Sequence, residues 1–531
     1  MVSKTSQSIQ PAARGLTSAV AKPVWLAKDW AIAAILAVIS LITRLPFTSQ
    51  ILYHWDSVNF AFAMQKFDLA KDQPQPPGYI LYVWLTRGVN LFFHDAQTTM
   101  VAITVVASLL AVVGIYFLGK AMFNQTTGIL AGLFLAFSPL FWFYGEIALP
   151  HTLDALMVIA GSWCLYETMR GRSGYVYPAV VIMAVGGGFR QQTLVFMAPL
   201  ILFAVRKTPL KKLIPAVLVG VLICLAWFIP LIALSGGLSR YLQTMNEFSA
   251  RFQSTTSLFM GAGLFGLKRN ITKYVLYTAY GWSFFALPLI PFVWGAIRKT
   301  IKIDVFEKWI FLALWVAPAT GYYLLVHMGQ QGLVFVYLPA LILAGAVALE
   351  TILRNHTRWL TATAAVLVLV NAAIFLVLPE YPFGPASQRF LTRATLVNSD
   401  NYFNTRISAI KRSYNPDNTV IIASNWHHLQ YYLPGYKVLP FNVGAKWEID
   451  EGAPVDNNGN TLNQDAFGLG LTPPAGEKTA VIVFDPELSS FNRSSADFKQ
   501  VTLPDHNALQ VATINPTDHI VVNLDSFSLV P

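Results

Sequence analysis

Charged side chains are scarce in this sequence. Of its 531 residues only 12% are Asp, Glu, Lys or Arg, whereas 55% are hydrophobic and the mean hydropathy is +0.50. A soluble globular protein has about 25% charged residues, so this composition excludes an ordinary soluble protein. Repeated apolar runs of about twenty residues predict an α-helical polytopic membrane protein instead.

Cysteine is almost absent as well. The two cysteines, Cys164 and Cys224, both fall inside apolar runs, so they indicate neither a disulfide framework nor a metal site. The net charge of +10 does not point to nucleic acid, because most clustered Lys and Arg lie at the ends of apolar runs. Basic residues in such places orient a membrane protein.

The apolar runs predict eleven membrane spans, which cover residues 26–45, 97–118, 126–144, 151–169, 174–189, 191–206, 213–234, 274–296, 306–327, 332–353 and 358–378. With the N-terminus in the cytoplasm, every basic cluster falls on the cytoplasmic side, as the positive-inside bias requires. These clusters are Lys120, Arg170 with Arg172, Arg206 to Lys212, Arg298 to Lys302, and Arg354 with Arg358.

Residues 78–93 decide this topology. They are apolar enough to be a span, but the segment is short and carries Arg87 and Asn90 near its middle, which favours an interfacial helix. As a span, it would move every later basic cluster outside. We therefore expect a protein of the cell membrane with its C-terminal part outside.

Three regions follow from the change in composition along the chain. Residues 1–24 are rich in Ser, Ala and Gln and predict a disordered cytoplasmic tail. Residues 25–379 predict the membrane domain, with a long first outer loop over 46–96. Residues 380–531 contain short β-rich runs and a predicted helix over 386–412, which indicate an extracytoplasmic α/β domain.

The first outer loop contains the candidate for chemistry. Asp56 stands between Trp55 and Ser57, where it is either a solvated aspartate, the N-cap of a helix over 57–67, or a general base. Asp68 and Asp72 are poorer candidates, because they adjoin lysines on a stretch that we expect to be exposed. A rigid Pro-Pro-Gly segment follows, and it either only shapes the loop or holds Gln75 and Tyr79 at a fixed distance from Asp56.

Further polar residues reach the same outer face. Glu146 and Asp154 flank the second outer turn, either as helix caps or as ligands of an acceptor, a metal or a sugar hydroxyl. Arg190 lies between two short apolar halves, either reaching to the surface or clamping a phosphate. His327 and Gln330 lie in a Gly-containing turn that either only reverses the chain or donates to an oxyanion. His427 and His428 are expected to be ordinary loop histidines.

Taken together, five segments resemble membrane glycosyltransferases of the GT-C fold, nearest to family 39, which is related to protein O-mannosyltransferases and aminoarabinose transferases. They are Trp55–Phe60 (WDSVNF), Gln73–Tyr79 (QPQPPGY), Ser138–Glu146 (SPLFWFYGE), Gly188–Gln192 (GFRQQ) and His327–Pro339 (HMGQQGLVFVYLP). The likeness covers about residues 40–345 and is faint beyond 380.

This resemblance implies inverting transfer of a sugar from a polyprenyl-phosphate lipid to a protein, lipid or glycan acceptor at the outer face. Asp56 matches the catalytic aspartate of the family. The implied substrate- and donor-binding residues are Trp55, Gln75, Tyr79, Arg190, His327 and Gln330, and either Glu146 or Asp154 fills the place of a second acidic residue. Gln75 departs from the family, which often has His or Lys there. No cofactor is required, although the acidic residues leave room for a divalent cation.

Two other classes of protein compete with this interpretation. A transporter or flippase of lipid-linked saccharides predicts charged residues in the centres of spans and internal repeats, whereas these spans are nearly free of charge. A structural membrane protein would leave the concentration of Asp, Arg and His on one face unexplained.

Overall fold

The computed structural model describes residues 27–301, 306–380, 382–383, 388–441, 469–474, 476–504, 507–523 and 526–531. The predicted N-terminal tail over 1–24 lies outside the described residues.

The described chain before residue 380 is helical and forms one large apolar core. Its helices are α1 (Ala27–Arg44), α2 (Trp55–Gln65), α3 (Ile80–Phe93), α4 (Ala96–Met122), α5 (Gln125–Ala136), α6 (Pro139–Tyr144), α7 (His151–Met169), α8 (Val176–Phe189), α9 (Gln191–Val205), α10 (Leu210–Leu234), α11 (Leu238–Thr256), α12 (Gly263–Trp282), α13 (Leu289–Ile297), α14 (Phe306–Leu325), α15 (Leu338–Leu353) and α16 (Thr357–Val377).

Helix length limits which of these elements can cross a membrane alone. Within the described residues, α1, α4, α10 and α16 are long and apolar enough, and the bent pair α12 and α13 would make a fifth span. Helices α3, α5, α9 and α15 are shorter and apolar, as is α8 together with the turn before it. The positions of the predicted spans match helices, but the count of eleven spans stays a prediction.

Proline breaks two of the predicted spans. The run over 126–144 forms α5 and α6, because Pro139 starts a new helix and the hydroxyl of Ser138 accepts a hydrogen bond from its first turn. The run over 274–296 forms α12 and α13, which are bent by 79° at a short break that ends in Pro288. A sequence window averages across such breaks, so it reports one span.

The first and fourth helices are joined by a buried ion pair. Asp29, in the first turn of α1, is fully buried and accepts hydrogen bonds from Lys120 Nζ at 2.5 Å and Tyr116 Oη at 2.8 Å. Lys120 lies in the last turn of α4, so the start of α1 and the end of α4 lie on the same side, as the predicted topology requires.

Helix α3 packs on the first outer loop. Arg87 donates to the carbonyl oxygens of Ala63 and Met64 at 2.7 and 3.0 Å, so it caps the C-terminal end of α2. The end of α3 exposes Leu91 and Phe92. An apolar end without protein cover fits the predicted interfacial helix.

In the part of the C-terminal domain that the structure describes there are two α-helices, a five-stranded sheet, a three-stranded sheet and a two-stranded ladder. Its elements are α17 (Arg393–Ser413), α18 (Trp426–Tyr432), β1 (Pro382–Phe383), β2 (Gln388–Arg389), β3 (Thr419–Ala423), β4 (Lys437–Pro440), β5 (Leu469–Leu471), β6 (Thr479–Val483), β7 (Lys499–Thr502), β8 (Ala508–Ile514), β9 (His519–Asn523) and β10 (Ser526–Val530). Strands β1 and β2 pair as a separate ladder ahead of α17. The helix predicted over 386–412 therefore begins at Arg393, seven residues after its predicted start.

The main sheet has the strand order β4-β3-β6-β8-β7, in which β4, β3 and β6 run parallel. Alternate residues of β3 face opposite sides, as the pleat requires: Ile421 joins a core with α17 and α18, and Val420 joins a core with the small antiparallel sheet β10-β9-β5. This arrangement confirms the predicted α/β domain.

Candidate active site

Asp56 lies in the first turn of α2 and does not cap the helix. The N-cap residue is His54, whose Nδ1 accepts the backbone N–H of Asp56 at 3.0 Å. The Asp56 side chain is 18% exposed, and its Oδ2 lies 3.7 Å from His54 Nδ1. The N-cap interpretation of Asp56 is therefore wrong, and the carboxylate is not used by its own helix. The positive end of the helix dipole favours a negative charge there.

A glutamine from the distant turn over 326–330 holds this carboxylate. Gln330 Nε2 donates to Asp56 Oδ2, and Gln330 Oε1 lies 3.1 Å from His151 Nε2. Because the amide nitrogen donates to the carboxylate, the amide oxygen must accept, and His151 Nε2 must carry a proton. This contact orients Asp56 from a residue 274 positions away.

From His151 the contacts continue to Asp154 and Arg190. His151 Nδ1 lies 3.8 Å from Asp154 Oδ2, and the same oxygen accepts a hydrogen bond from Arg190 Nη1 at 3.1 Å. The side chains of Asp154 and Arg190 are only 2% and 3% exposed. A buried charge of this kind needs its partner. We call the set Asp56, Gln330, His151, Asp154 and Arg190 the polar chain.

Arg190 occupies the junction of α8 and α9. Its Nε and Nη2 donate to Gln192 Oε1 at 3.2 and 3.1 Å, in addition to the bond with Asp154. A guanidinium has five N–H donors; three of them are directed at Asp154 and Gln192, and the hydroxyl of Tyr323 also lies close to this group. Arg190 thus lies in the candidate site, where it forms an ion pair with Asp154.

The Pro-Pro-Gly segment is fastened to this junction. Gln191 Nε2 donates to the carbonyl oxygen of Pro77 at 3.3 Å. Gly78 has a φ of +111°, and a Cβ there would lie 2.6 Å from the Leu231 side chain, so only glycine fits without displacing it. Tyr79 follows with a φ of +39°, which is uncommon for a residue with a side chain.

Tyr79 lies within the electrostatic reach of the polar chain, whereas Gln75 does not join it. Burial raises the pKa of Tyr79, the charge of Arg190 opposes this, and the charges of Asp154 and Asp56 add to it. The side-chain oxygen of Gln75 is buried without a hydrogen-bond partner among the described residues.

Of the two acidic residues left open by the sequence, the geometry favours Asp154. Glu146 is fully buried, its backbone oxygen accepts the N–H of Ser49 at 3.0 Å, and its neighbour Gly145 lies against the guanidinium of Arg44. No described contact joins the Glu146 side chain to Asp56. Within the described residues, no three His, Cys, Asp or Glu side chains form a group that could hold a metal.

His327 lies at the start of the same turn as Gln330 but points elsewhere. Its Nδ1 is 3.1 Å from Thr256 Oγ1. Thr256 is the last residue of α11, so the His327 ring faces α11.

Asp72 is not on an exposed stretch as the sequence predicted. Its side chain is only 14% exposed and Oδ1 lies 3.3 Å from Arg251 Nη2 on α11. Burial raises the pKa of Asp72, and Arg251 opposes this. The ion pair fastens the first outer loop to α11.

Trp55 faces the C-terminal domain, which the sequence did not indicate. Its ring stacks on the ring of His427 with centroids 3.8 Å apart, and His427 Nδ1 lies 2.9 Å from Asn59 Oδ1. His427 and His428 are thus buried residues of α18, and the expectation of ordinary loop histidines was wrong. Their partners lie about 370 residues earlier, so no local pattern could reveal them.

Comparisons with known proteins agree with this architecture. Residues 72–233 match the family model described as dolichyl-phosphate-mannose-protein mannosyltransferase. The crystal structure of ArnT from Cupriavidus metallidurans bound to undecaprenyl phosphate is 13% identical, with a TM-score of 0.55 over 92% of this chain and 98% of that chain.

A second solved structure is similar at the level of the fold. The Archaeoglobus fulgidus oligosaccharyltransferase tethered with an acceptor peptide is 11% identical, with a TM-score of 0.50 over 94% of this chain and 76% of that chain. No curated protein sequence matches the chain.

Proposed function

We propose that this membrane protein, which has the GT-C fold predicted from its sequence and is similar to family 39 glycosyltransferases, transfers a sugar from a polyprenyl-phosphate lipid to an acceptor hydroxyl, with Asp56 as the general base. The observation that carries the proposal is the polar chain. Hydrogen bonds join Asp56 to His151 through Gln330 and join Asp154 to Arg190, and His151 Nδ1 lies 3.8 Å from Asp154 Oδ2. A base and a cation in one set of neighbouring side chains suit the two ends of the transferred sugar.

The proposed step is a single displacement at the anomeric carbon. The acceptor oxygen attacks this carbon while its proton passes to Asp56 Oδ1, because Oδ2 is bonded to Gln330. The bond from the anomeric carbon to the phosphate oxygen breaks, and its electron pair leaves with the polyprenyl phosphate. Attack opposite the leaving group inverts the configuration. A phosphate leaves without protonation, so the site needs only one proton acceptor.

Arg190 and Tyr79 are proposed to face the phosphate of the donor. The guanidinium of Arg190 suits phosphate oxygens, and Asp154 keeps it oriented. Tyr79 stays protonated because burial raises its pKa, so its hydroxyl can donate. Gln75 and His327 lie outside the polar chain, so we assign them to loop support.

The proposed donor class is supported by the names of the similar proteins. One solved neighbour holds undecaprenyl phosphate and the matching family model is named for dolichyl-phosphate mannose, and both are polyprenyl-phosphate lipids. The proposed acceptor is a hydroxyl group of a protein, a lipid or a glycan. We further propose that the first outer loop and the C-terminal domain lie outside the cell membrane, because the basic clusters lie at the opposite helix ends.

Transfer assays with purified protein test this function. We expect one or more members of a panel of polyprenyl-phosphate sugars to be consumed with release of polyprenyl phosphate, and Asp56→Asn to lower kcat by about 10²–10⁴-fold, as for loss of a general base. Asp68→Asn is the matched control, since it removes the same charge from the same loop outside the polar chain. Full activity in Asp56→Asn would remove the central assignment.

A flippase of the same lipids would behave differently in this assay. It would move the lipid between the leaflets of a vesicle without releasing polyprenyl phosphate, in the wild type as well as in Asp56→Asn. Movement of an intact donor without transfer would therefore contradict the proposal.

A further inference from the structure

We propose that the C-terminal α/β domain is a positioning element for the base, and that α17 and α18 hold the segment 50–59 which carries Asp56. This inference rests on the proposed function only for its kinetic consequence, since the contacts themselves do not depend on what reaction is catalysed. It assigns a task to a domain for which the resemblance to known families gave none.

The backbone before α2 is bound by the domain at three consecutive residues. The carboxylate of Asp400, on α17, accepts the N–H of Gln50 at 3.0 Å and of Ile51 at 3.1 Å. The next N–H, of Leu52, donates to Tyr432 Oη at 2.9 Å. Three consecutive backbone N–H groups thus have their hydrogen-bond partners on the C-terminal domain.

His428 also binds the backbone of Leu52, at its carbonyl group. His428 Nε2 donates to the carbonyl oxygen of Leu52 at 2.8 Å, and since a carbonyl can only accept, Nε2 carries the proton. Burial lowers the pKa of His428 to about 4, so the ring is neutral near pH 7. Leu52 is therefore held at both its N–H and its carbonyl.

The start of α2 is held as well. The His427 ring stacks on Trp55, and its Nδ1 contacts Asn59 one turn later. Ile51 belongs to the apolar core of the C-terminal domain, and Trp55 packs against that core. Trp55 is the immediate neighbour of Asp56, so a displaced Trp55 would rotate the first turn and move the carboxylate away from Gln330.

Helix α18 is itself braced by a buried carboxylate of the main sheet. Asp485, which follows β6, is fully buried and accepts the backbone N–H of Ser424 at 2.6 Å and of Asn425 at 3.2 Å. It also accepts Tyr402 Oη at 2.5 Å. These bonds hold the N-terminal end of α18 against the sheet, so the sheet, α18 and α2 form one continuous support.

Positioning of this kind has consequences for rate. A misplacement of a reacting group by about 1 Å lowers a rate by about 10²-fold. Loss of the support should therefore reduce kcat and leave the KM for the lipid donor unchanged, because none of the supporting residues lies at Arg190 or Tyr79.

The experiment uses the full-length protein in detergent or nanodiscs and compares His428→Ala, His428→Gln and Val522→Ala. Glutamine keeps a donor near the position of Nε2, and Val522→Ala removes two buried methyl groups from the core on the far side of the sheet. We expect faster amide hydrogen exchange over residues 50–59 in His428→Ala, near-normal exchange in His428→Gln, and no change there in Val522→Ala. In transfer assays kcat should fall by about 10-fold or more in His428→Ala alone, at constant donor KM.

Three outcomes would overturn the inference. They are unchanged exchange over 50–59 in His428→Ala, equal changes in Val522→Ala, and faster exchange at wild-type kcat. The exchange measurement does not need a substrate. If the wild type transfers no sugar at all, the proposed function fails, while exchange still decides whether the domain holds the segment.

Discussion

At the scale of single residues, the structure separates the predicted site into members that meet and members that do not. Asp56, Gln330, Asp154 and Arg190 meet, and His151 completes them. Composition and charge could place these residues on one outer face. They could not show that Gln330 bonds Asp56 while its neighbour Gln331 donates to the carbonyl of Arg389 instead, because the orientation of a turn depends on tertiary packing.

His151 gives a residue-scale prediction. His151→Phe keeps an aromatic ring but removes the N–H that holds Gln330, so we expect kcat to fall by about 10–100-fold through misorientation of Asp56. His151→Gln keeps a donor near Nε2 and should recover most of the loss. Steady-state kcat of the three proteins checks this. Full activity in His151→Phe, or no recovery in His151→Gln, would contradict the assignment of this N–H as the group that holds Gln330.

At the scale of elements, the site is formed where breaks between helices bring a turn close to another helix. The turn between α14 and α15 brings Gly332 against His151 and Tyr144, where a Cβ would lie 2.6 Å from either ring. The sequence predicted a Gly-containing turn here, since two glycines flank a pair of glutamines. It could not predict which glycine contacts a distant helix, because that distance depends on α7.

Gly332→Ala is the corresponding prediction. The added methyl group must push the His151 ring aside, which should cost about 1–3 kcal/mol of stability and disturb the polar chain. Gly321→Ala is the matched control, because a Cβ there meets nothing within 4 Å and alanine favours a helix. Thermal unfolding in detergent, with transfer rates alongside, compares them. A Gly332→Ala protein as stable and active as Gly321→Ala would contradict the packing described.

At the scale of the whole molecule, the membrane domain and the C-terminal domain share the segment 50–59. The sequence predicted both domains and the presence of short β-rich runs beyond residue 380, because alternation and apolar runs are local signals. It could not predict their contact, since the residues involved are 349 to 380 positions apart.

Acid should loosen this contact. Burial lowers the pKa of His428, the charge of His54 lowers it further, and the hydrogen bond to the Leu52 carbonyl opposes the shift. Burial also lowers the pKa of His427, and the charge of His428 acts in the same direction. The Trp55, Trp426 and Phe403 rings pack on them without charge. A folded pKa below the unfolded value of about 6.5 means that the unfolded state binds more protons, so this stability is complete above pH 6.5 and is lost as the pH falls towards 4.

We therefore expect the titration of His428 alone to cost the domain contact about 2 kcal/mol between pH 7 and pH 5, with His427 acting in the same direction. Amide exchange over 50–59 at both pH values measures it in wild type and in His428→Gln, which lacks one of the two titrating rings. A pH dependence as steep in His428→Gln as in wild type would exclude His428 as a source.

The orientation of the whole molecule is open to labelling. In a background without Cys164 and Cys224, Asp68→Cys should react with an impermeant maleimide added outside intact cells, because it lies in the first outer loop. Lys299→Cys should react only after permeabilisation, since it follows α13 in a predicted cytoplasmic cluster. Labelling of both positions from the same side would show that α3 is a span.

The contacts of α17 and α18 with residues 50–59 also have a consequence for biosynthesis. Leu52 leaves the ribosome 376 residues ahead of His428, an interval of some tens of seconds at about 5–20 residues per second. During that time the membrane helices can insert and Gln330 can reach Asp56, yet the backbone of residues 50–52 lacks the partners that α17 and α18 supply. The support of the base is thus complete only after synthesis has passed α18, and we expect a chain truncated before that point to insert with a poorly positioned Asp56.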